Sequence, residues 1–393
     1  MNDRSTNRAK AAPLPDGKPV DQKRVDQKRV DQKQADPKLP DWKQANPMAI
    51  ERALQHVLAK PSGGWFVLDA TRTLQKPALK SWRSGMAKRE QMARKYVVDG
   101  VELVAWTNAQ TGAITVAPAL CPHMGAHLGD GHINASNCVV CPWHGLALPG
   151  VASSGVASSG VASSEVGPRG VRTTGIGSSR GPVDRVPGQG RWEPWRTYND
   201  GVLVWVQPDP DASDATDAPI LTQRPTTHFT GVIRREAVCE PRDIIANRLD
   251  PWHGVHFHPY AFAGLEVLSN TDDALDLRVG YRITPRHIMV VEARFDCPDP
   301  RTIVMTITGG EGVGSVVETH ATPMHPPVNA AGVSMLPRTS IIEATLATSD
   351  RPGFAQALKG AVVARPMIEL LAGRLWTDDA KYAERTYAIR TGL

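Results

Sequence analysis

The sequence predicts an α+β protein with a small β-rich region, then a larger one, then a helical C-terminus. Three observations predict it. Tyr96–Val98, Val101–Trp106 and Ala113–Ala117 are short apolar runs separated by Asp99-Gly100 and Thr111-Gly112, a pattern of strands and tight turns. Leu275–Ile283, Ile288–Phe295, Ile303–Ile307 and Ile341–Leu346 alternate apolar with polar residues and are rich in β-branched side chains, which suggests an antiparallel sheet. Beyond Phe354 the composition is helical, in two segments, Phe354–Ala364 and Met367–Arg390, split by Pro366.

The chain divides into three parts. Residues 1–48 form a basic tail that lacks the large apolar residues a core needs, so it is expected to be disordered. A five-residue repeat, VDQKR, VDQKR, VDQKQ, runs from Val20 to Gln34 and matches no helical period. Residues 49–208 form the first domain. It opens with a short helix, capped by Asn46 and started by Pro47, whose apolar face is Ile50, Leu54, Val57 and Leu58. The helix ends before Pro61-Ser62-Gly63-Gly64, and Val202–Val206 is the returning strand that closes the small β unit. A low-complexity insertion at about 150–190 begins with VASSG, VASSG, VASSE and reads as a flexible loop. Residues 209–393 form the second domain.

Composition narrows the class. At 393 residues there is room for two or three domains, and 41% hydrophobic with 22% charged residues is ordinary for a soluble protein. The net charge of +5 is concentrated in the tail: residues 1–48 hold 11 Lys/Arg and 7 Asp/Glu, the rest 34 and 33. A nucleic-acid-binding face is therefore not expected. No apolar run is long enough for a membrane span, and no signal peptide is readable. Of five cysteines, Cys138, Cys239 and Cys297 form an odd remainder outside the motif described next, which fits a reducing cytoplasm better than a disulfide framework.

The stretch CPHMGAHLGDGHINASNCVVCPWHG, residues 121–145, holds two Cys-His pairs, Cys121/His123 and Cys141/His144. Four such side chains are a metal-ligand set, and each pair is followed by a glycine, Gly125 or Gly145, that suits a tight turn. Zinc also takes two cysteines and two histidines, but zinc fingers keep like ligands together, whereas each loop here carries one of each. The pattern resembles the ligand loops of a Rieske [2Fe–2S] cluster, in which two thiolates hold one iron and two imidazoles the other. The resemblance assigns Cys121 and Cys141 to one iron and His123 and His144 to its neighbour. Rieske proteins of respiratory complexes carry a further cysteine in each loop. Ala126 and Trp143 stand there in this chain, which places the resemblance in the oxygenase and ferredoxin branch. Cys138 is read as a packing residue.

A second motif, Asn247-x₂-Asp250-x₂-His253-x₄-His258, is similar to the mononuclear iron motif of the Rieske non-haem iron oxygenases. That resemblance implies Fe(II) held by His253 and His258, with a distant carboxylate completing a facial triad. Family spacing before Glu384 favours Asp379 over Asp378 as that carboxylate. It also gives Asp250 a bridging role between subunits, with an imidazole of the cluster on one side and an iron histidine on the other, and this implies a homotrimer. Asn247 would lie near the iron. Read from the residues alone, Asp250 before Pro251 could be only a helix terminator, and His256 could replace His258. His127, His132, His228, His287, His320 and His325 have no partner pattern and are read as structural.

The family resemblance implies a small all-β Rieske domain followed by a helix-grip-like catalytic domain, a curved antiparallel sheet around a long C-terminal helix. It implies an oxygenase that uses O2 and electrons from a separate reductase or ferredoxin to hydroxylate, dealkylate or desaturate an apolar small molecule: polycyclic, isoprenoid or aromatic. The chain itself has no plant-type cluster run and no dinucleotide-binding unit, so the donor is separate. Phe257, Phe262, Leu265, Met289, Met305 and Met335 are candidates to line an apolar cavity, and core packing accounts for each equally well. The alternative is a Rieske ferredoxin-like electron-transfer protein with an inactive C-terminal domain.

Overall fold

The computed structural model describes residues 41–76, 78–79, 91–151, 192–326 and 335–393. Most of the basic tail and nearly all of the repeat insertion lie outside the described residues. Helix α1 (Pro47–Leu58) starts as its sequence predicts, with Asn46 Oδ1 accepting from the amides of Met48 and Ala49 at 3.0 and 3.3 Å. It buries Leu54 and Val57 against Ile245, Cys297 and Ile303, all from the C-terminal half of the chain.

Strand β1 (Phe66–Ala70) leads into a short helix α2 (Thr71–Gln75). The first half then contains β2 (Ala78–Leu79), β3 (Gln91–Met92), β4 (Arg94–Val98), β5 (Val101–Thr107) and β6 (Ile114–Pro118). These are followed by β7 (His132–Ile133), β8 (Cys138–Val140), β9 (Ala147–Pro149), β10 (Arg196–Asn199) and β11 (Leu203–Gln207). They form three antiparallel sheets: β4-β5-β6, β1-β11-β10, and β2-β3-β7-β8-β9. The first two face each other across Leu68, Tyr96, Leu103, Val116, Val204 and Val206, so the predicted strands and the predicted returning strand meet in one apolar core. The third sheet is built from strands of two or three residues; one cysteine-histidine loop lies between β6 and β7 and the other joins β8 to β9.

The second half is a seven-stranded antiparallel sheet, in the order β12 (Phe229–Ala237), β18 (Arg338–Ala347), β17 (Val316–His325), β16 (Thr302–Gly310), β15 (His287–Asp299), β14 (Ala274–Thr284), β13 (Phe262–Asn270). Two short helices, α3 (Pro241–Leu249) and α4 (Trp252–Phe257), join β12 to β13 and carry the second motif. Trp65, Leu203 and Trp205 of the small sheets pack on Val232, Ile342 and Leu346 of the large one, which unites the two halves.

The C-terminus departs from its sequence expectation. Phe354–Ala364 is not one helix: α5 (Phe354–Ala357) gives way to a 3-10 turn, Leu358–Gly360. Helix α6 then runs unbroken from Ala361 to Thr391 with Pro366 inside it. The break falls at Gly360, not at the proline. The helix survives the missing N–H because β12 anchors it on both sides of Pro366: Arg365 donates to the Thr230 carbonyl at 3.1 Å, and Glu369 accepts from Arg72 and from the Val232 amide at 3.4 Å. Along α6, Trp376, Asp379, Ala383 and Tyr387 follow a three-four spacing and are all buried. One carboxylate thus stands in an otherwise apolar seam.

Candidate cluster and metal sites

The two cysteine-histidine loops are built alike. In each, the glycine amide donates back to the cysteine carbonyl, Gly125 to Cys121 at 2.8 Å and Gly145 to Cys141 at 3.1 Å. In each, the cysteine amide bonds the carbonyl just past the glycine, Ala126 or Leu146, at 2.9 Å. Closing the turn this way requires positive φ, and Gly125 and Gly145 supply it at 77° and 71°. Both cysteines are buried, whereas His123 and His144 are exposed with ring centroids 4.8 Å apart. Burial pushes the Cys121 thiol up, the facing Cys141 sulfur adds to this, and the His123 and Met124 amides oppose it. Sulfurs lie inside and imidazoles outside. Cys138 is half-buried, with Sγ 3.6 Å from the Ser136 carbonyl.

The second motif is positioned by a helix, a proline and a second helix. Asn247 lies on the buried face of α3, and Asp250 ends that helix by donating its amide to Asn247 O at 3.2 Å. Pro251 then starts the turn into α4, which carries His253, and His258 follows as its C-cap. The imidazoles and the α6 carboxylate meet: His253 Nε2 and His258 Nε2 lie 3.1 and 2.8 Å from Asp379 Oδ1. Asn247 Nδ2 approaches the same oxygen at 3.4 Å. Among the described residues, His253, His258 and Asp379 form the group of ligand-type side chains whose donor atoms all lie within 4.8 Å of one another. His256 is exposed and outside this group.

Asp378 and Asp379 are separated by one step of the helix. Asp379 is 3% exposed and faces the two Nε2 atoms. Asp378 points the other way, to the opposite edge of His258, with Oδ2 3.9 Å from Nδ1. Burial alone would raise the Asp379 carboxyl. The bonds to His253 and His258 and the charge of Arg248 outweigh burial and hold it well below the usual carboxylate range.

The donor set fits a cation. A carbonyl only accepts, so the bond between His253 Nδ1 and the Asp250 carbonyl puts a proton on Nδ1, and with a cation in place Nε2 is the atom that would offer it a lone pair. That lone pair, the Nε2 of His258 and an ionised carboxylate oxygen converge on one region, an arrangement that needs positive charge between them. Asn247 Oδ1 and Asp250 Oδ1 are buried without a hydrogen-bond partner among the described residues.

Two tyrosines were not singled out from the sequence. Tyr382, three residues after Asp379, stacks on His253 at 4.7 Å and donates to Asp250 Oδ2 at 2.7 Å. Tyr260, two residues after His258, lies 3.3 Å from its Nδ1. Their spacing from the ligand-type residues was the available signal. Of the cavity candidates, Phe262, Leu265, Met289 and Met305 pack in the apolar cluster around Trp252 and Leu277, while Phe257 and Met335 are exposed.

Buried sulfurs paired with exposed imidazoles, joined to a sheet-and-helix region in which two histidines and an aspartate converge, are what a Rieske-type cluster and a mononuclear metal centre would require. The Rieske [2Fe–2S] domain family matches residues 82–157, and a domain of unknown function, DUF5914, matches residues 210–393. Cholesterol 7-desaturase of Ciona intestinalis is 26% identical over 164 residues, 40% of this chain; the chain spans 30% of that relative's length. Dicamba monooxygenase bound to dicamba superposes with a TM-score of 0.53 at 14% identity, covering 85% of this chain and 92% of that one. The same enzyme with 3,6-dichlorosalicylic acid gives 0.54 at 13% identity, covering 84% and 88%. The chain therefore carries a Rieske [2Fe–2S] domain, and its fold is similar to that of dicamba monooxygenase. The Rieske domain match implies a [2Fe–2S] cluster. Among the described residues no helix is long and apolar enough to cross a membrane.

Proposed function

We propose that this chain is the terminal oxygenase of a Rieske-type system, taking electrons from a separate reductase or ferredoxin and using O2 to hydroxylate, dealkylate or desaturate an apolar small molecule. The observation that carries the reading is the meeting of His253 Nε2, His258 Nε2 and Asp379 Oδ1 in a buried pocket of charge, beside a domain that exposes two imidazoles. In this reading residues 49–208 carry the cluster, through Cys121, His123, Cys141 and His144, and residues 209–393 carry the Fe(II), through His253, His258 and Asp379. When bound, the cluster supplies single electrons and the iron activates dioxygen.

The chain's own groups do the rest. Asp379, on the buried seam of α6, stays ionised and fixes both Nε2 atoms toward one point. The Asp250 carbonyl holds His253 in the Nδ1–H tautomer, and Tyr382 clamps the ring from its face. Asp250 keeps a second, unpartnered oxygen, which suits an acceptor waiting for the exposed His123 or His144 of a neighbouring subunit. This supports a homotrimer in which the electron crosses between chains. Asn247 lies against the metal ligands without completing them. The name of the Ciona intestinalis relative supports a polycyclic isoprenoid as the first substrate to test and desaturation as the first reaction. Buried thiols at Cys239 and Cys297, outside any disulfide, support a reducing, cytoplasmic setting.

The test is composition. Anaerobically purified protein is expected to hold about three irons and two acid-labile sulfides per chain, with a Rieske-type electron paramagnetic resonance signal after reduction. His253→Ala should lose one iron and keep that signal. Two irons in the wild type, with none gained on adding Fe(II), would move the reading to an electron-transfer protein. Zinc without sulfide would sink both.

A further inference from the structure

We propose that Tyr260 and Asp378 form a positioning relay that fixes the tautomer of His258 and so keeps its Nε2 free for metal; this rests on the reading of His258 as an iron ligand. Three atoms define the relay. Tyr260 Oη lies 3.3 Å from His258 Nδ1 and donates to Asp378 Oδ2 at 2.9 Å. A phenol has one hydrogen, and a carboxylate is the stronger acceptor at the shorter distance. The Tyr260 proton therefore points at Asp378, and the phenol oxygen turns a lone pair toward Nδ1. His258 satisfies that lone pair by carrying its hydrogen on Nδ1. Its Nε2, 2.8 Å from Asp379 Oδ1, is then the nitrogen left to offer a metal its lone pair.

The two imidazoles are thus held by different means. His253 is fixed by a main-chain carbonyl, which no substitution removes. His258 is fixed by two side chains, one of them the aspartate adjacent to the proposed ligand. Tyr260 is itself held in place, with the Arg374 guanidinium over its ring at 4.0 Å. Lys381 Nζ sits 3.6 Å from the other Asp378 oxygen. Adjacent aspartates therefore face opposite edges of one buried ring, Asp379 toward Nε2 and Asp378, through Tyr260, toward Nδ1.

Without the relay His258 is free to place its hydrogen on Nε2 and donate it to Asp379, and that tautomer excludes metal. Loss of such a partner of a ligating histidine typically weakens metal binding about 10–100-fold. The experiment uses the full chain with its cluster in place and the mononuclear site stripped, titrated anaerobically with Co(II) and followed by optical absorption. Tyr260→Phe and Asp378→Ala, which leaves the Tyr260 hydroxyl no acceptor but His258 Nδ1, should each weaken Co(II) binding by about 10–100-fold. The double variant should lose no more than either single one, since both break one chain of bonds, whereas two independent packing effects would add. Asp378→Glu should recover part of the affinity. The cluster's visible spectrum and the unfolding temperature report folding separately. Tyr260→Phe binding Co(II) as tightly as the wild type would overturn the relay. So would Asp378→Ala abolishing binding outright, as expected of Asp379→Asn, because Asp378 would then be a ligand. A wild-type chain that takes no Co(II) while its cluster is intact would overturn the metal-site reading itself.

Discussion

Asp250 is 7% exposed and carries two oxygens of different fate: Oδ2 accepts from Tyr382 at 2.7 Å, and Oδ1 has no partner among the described residues. A carboxylate in that position depends on its one strong donor. Tyr382→Phe keeps the ring that stacks on His253 and removes only the hydroxyl. It should destabilise the fold by about 1–3 kcal/mol, the cost of leaving a buried polar group unmet, and leave the iron count unchanged. Tyr382→Ala also removes the stacked ring, and a loss of about 3–5 kcal/mol is expected. Thermal unfolding and iron analysis of the two variants check this. A Phe variant as stable as the wild type would show that solvent or another group already serves Asp250.

Helix α6 is held to β12 on both sides of Pro366, which is itself exposed. A proline inside a helix costs roughly 3 kcal/mol, and about 1 kcal/mol returns through the stiffer unfolded chain. Pro366→Ala should therefore stabilise the protein by about 2 kcal/mol, read as a higher unfolding temperature with unchanged metal content. An unchanged or lowered temperature would mean that the proline shapes the packing on β12. The same helix shows where the sequence could be read and where it could not. Its existence was legible from composition, but the placement of its break was not, because proline signals a break locally while β12, over 120 residues away, supplies the bonds that hold the helix together. The runs of β14, β15, β16 and β18 were legible because they alternate. Strand β17 was not, because its sequence VVETHATPMH buries Glu318, Thr319 and His320, polar residues that read as loop. Cys121 with His123, Cys141 with His144, and His253 with His258 stood out in the sequence because the members of each pair lie within a few residues of one another. Asp379 lies 121 residues from His258, so in the sequence only family spacing before Glu384 favoured it over Asp378; the helix register places it in line with Trp376 and Ala383. Tyr260 and Tyr382 carried no chemical pattern of their own.

The two halves of the molecule are joined by a buried ion cluster as well as by apolar packing. Arg224, on the segment between the last small-sheet strand and β12, makes a two-pronged bond to Glu318 of β17, at 2.6 Å from each nitrogen. Its third nitrogen lies 3.0 Å from Asp200, in the turn between β10 and β11. Asp200 also accepts from the Trp205 indole at 2.7 Å, and Thr222 donates to Glu318. One guanidinium therefore ties the cluster-bearing half to the large sheet. Burial would raise the Glu318 carboxyl from its ordinary 4.5, but Arg224 and His320 pull it down to about 2. The folded value is the lower one, so the folded state gains from ionisation. That gain is full above pH about 4.5 and is lost as the pH falls toward about 2. A shift of this size corresponds to about 3 kcal/mol. Denaturant unfolding of the full chain between pH 6 and 3 (roughly the range that brackets the start of this loss) should show stability falling with acid. Glu318→Gln, which has no proton to gain, should flatten part of that fall. Arg224→Met strands two buried carboxylates and should cost about 3–5 kcal/mol at neutral pH, more than Glu318→Gln, which leaves Arg224 paired with Asp200. If Glu318→Gln and the wild type lose stability with equal slope below pH about 4.5, the clamp does not supply the acid dependence of the fold, and the apolar contact of Trp65, Leu203 and Trp205 with the large sheet is what holds the halves together.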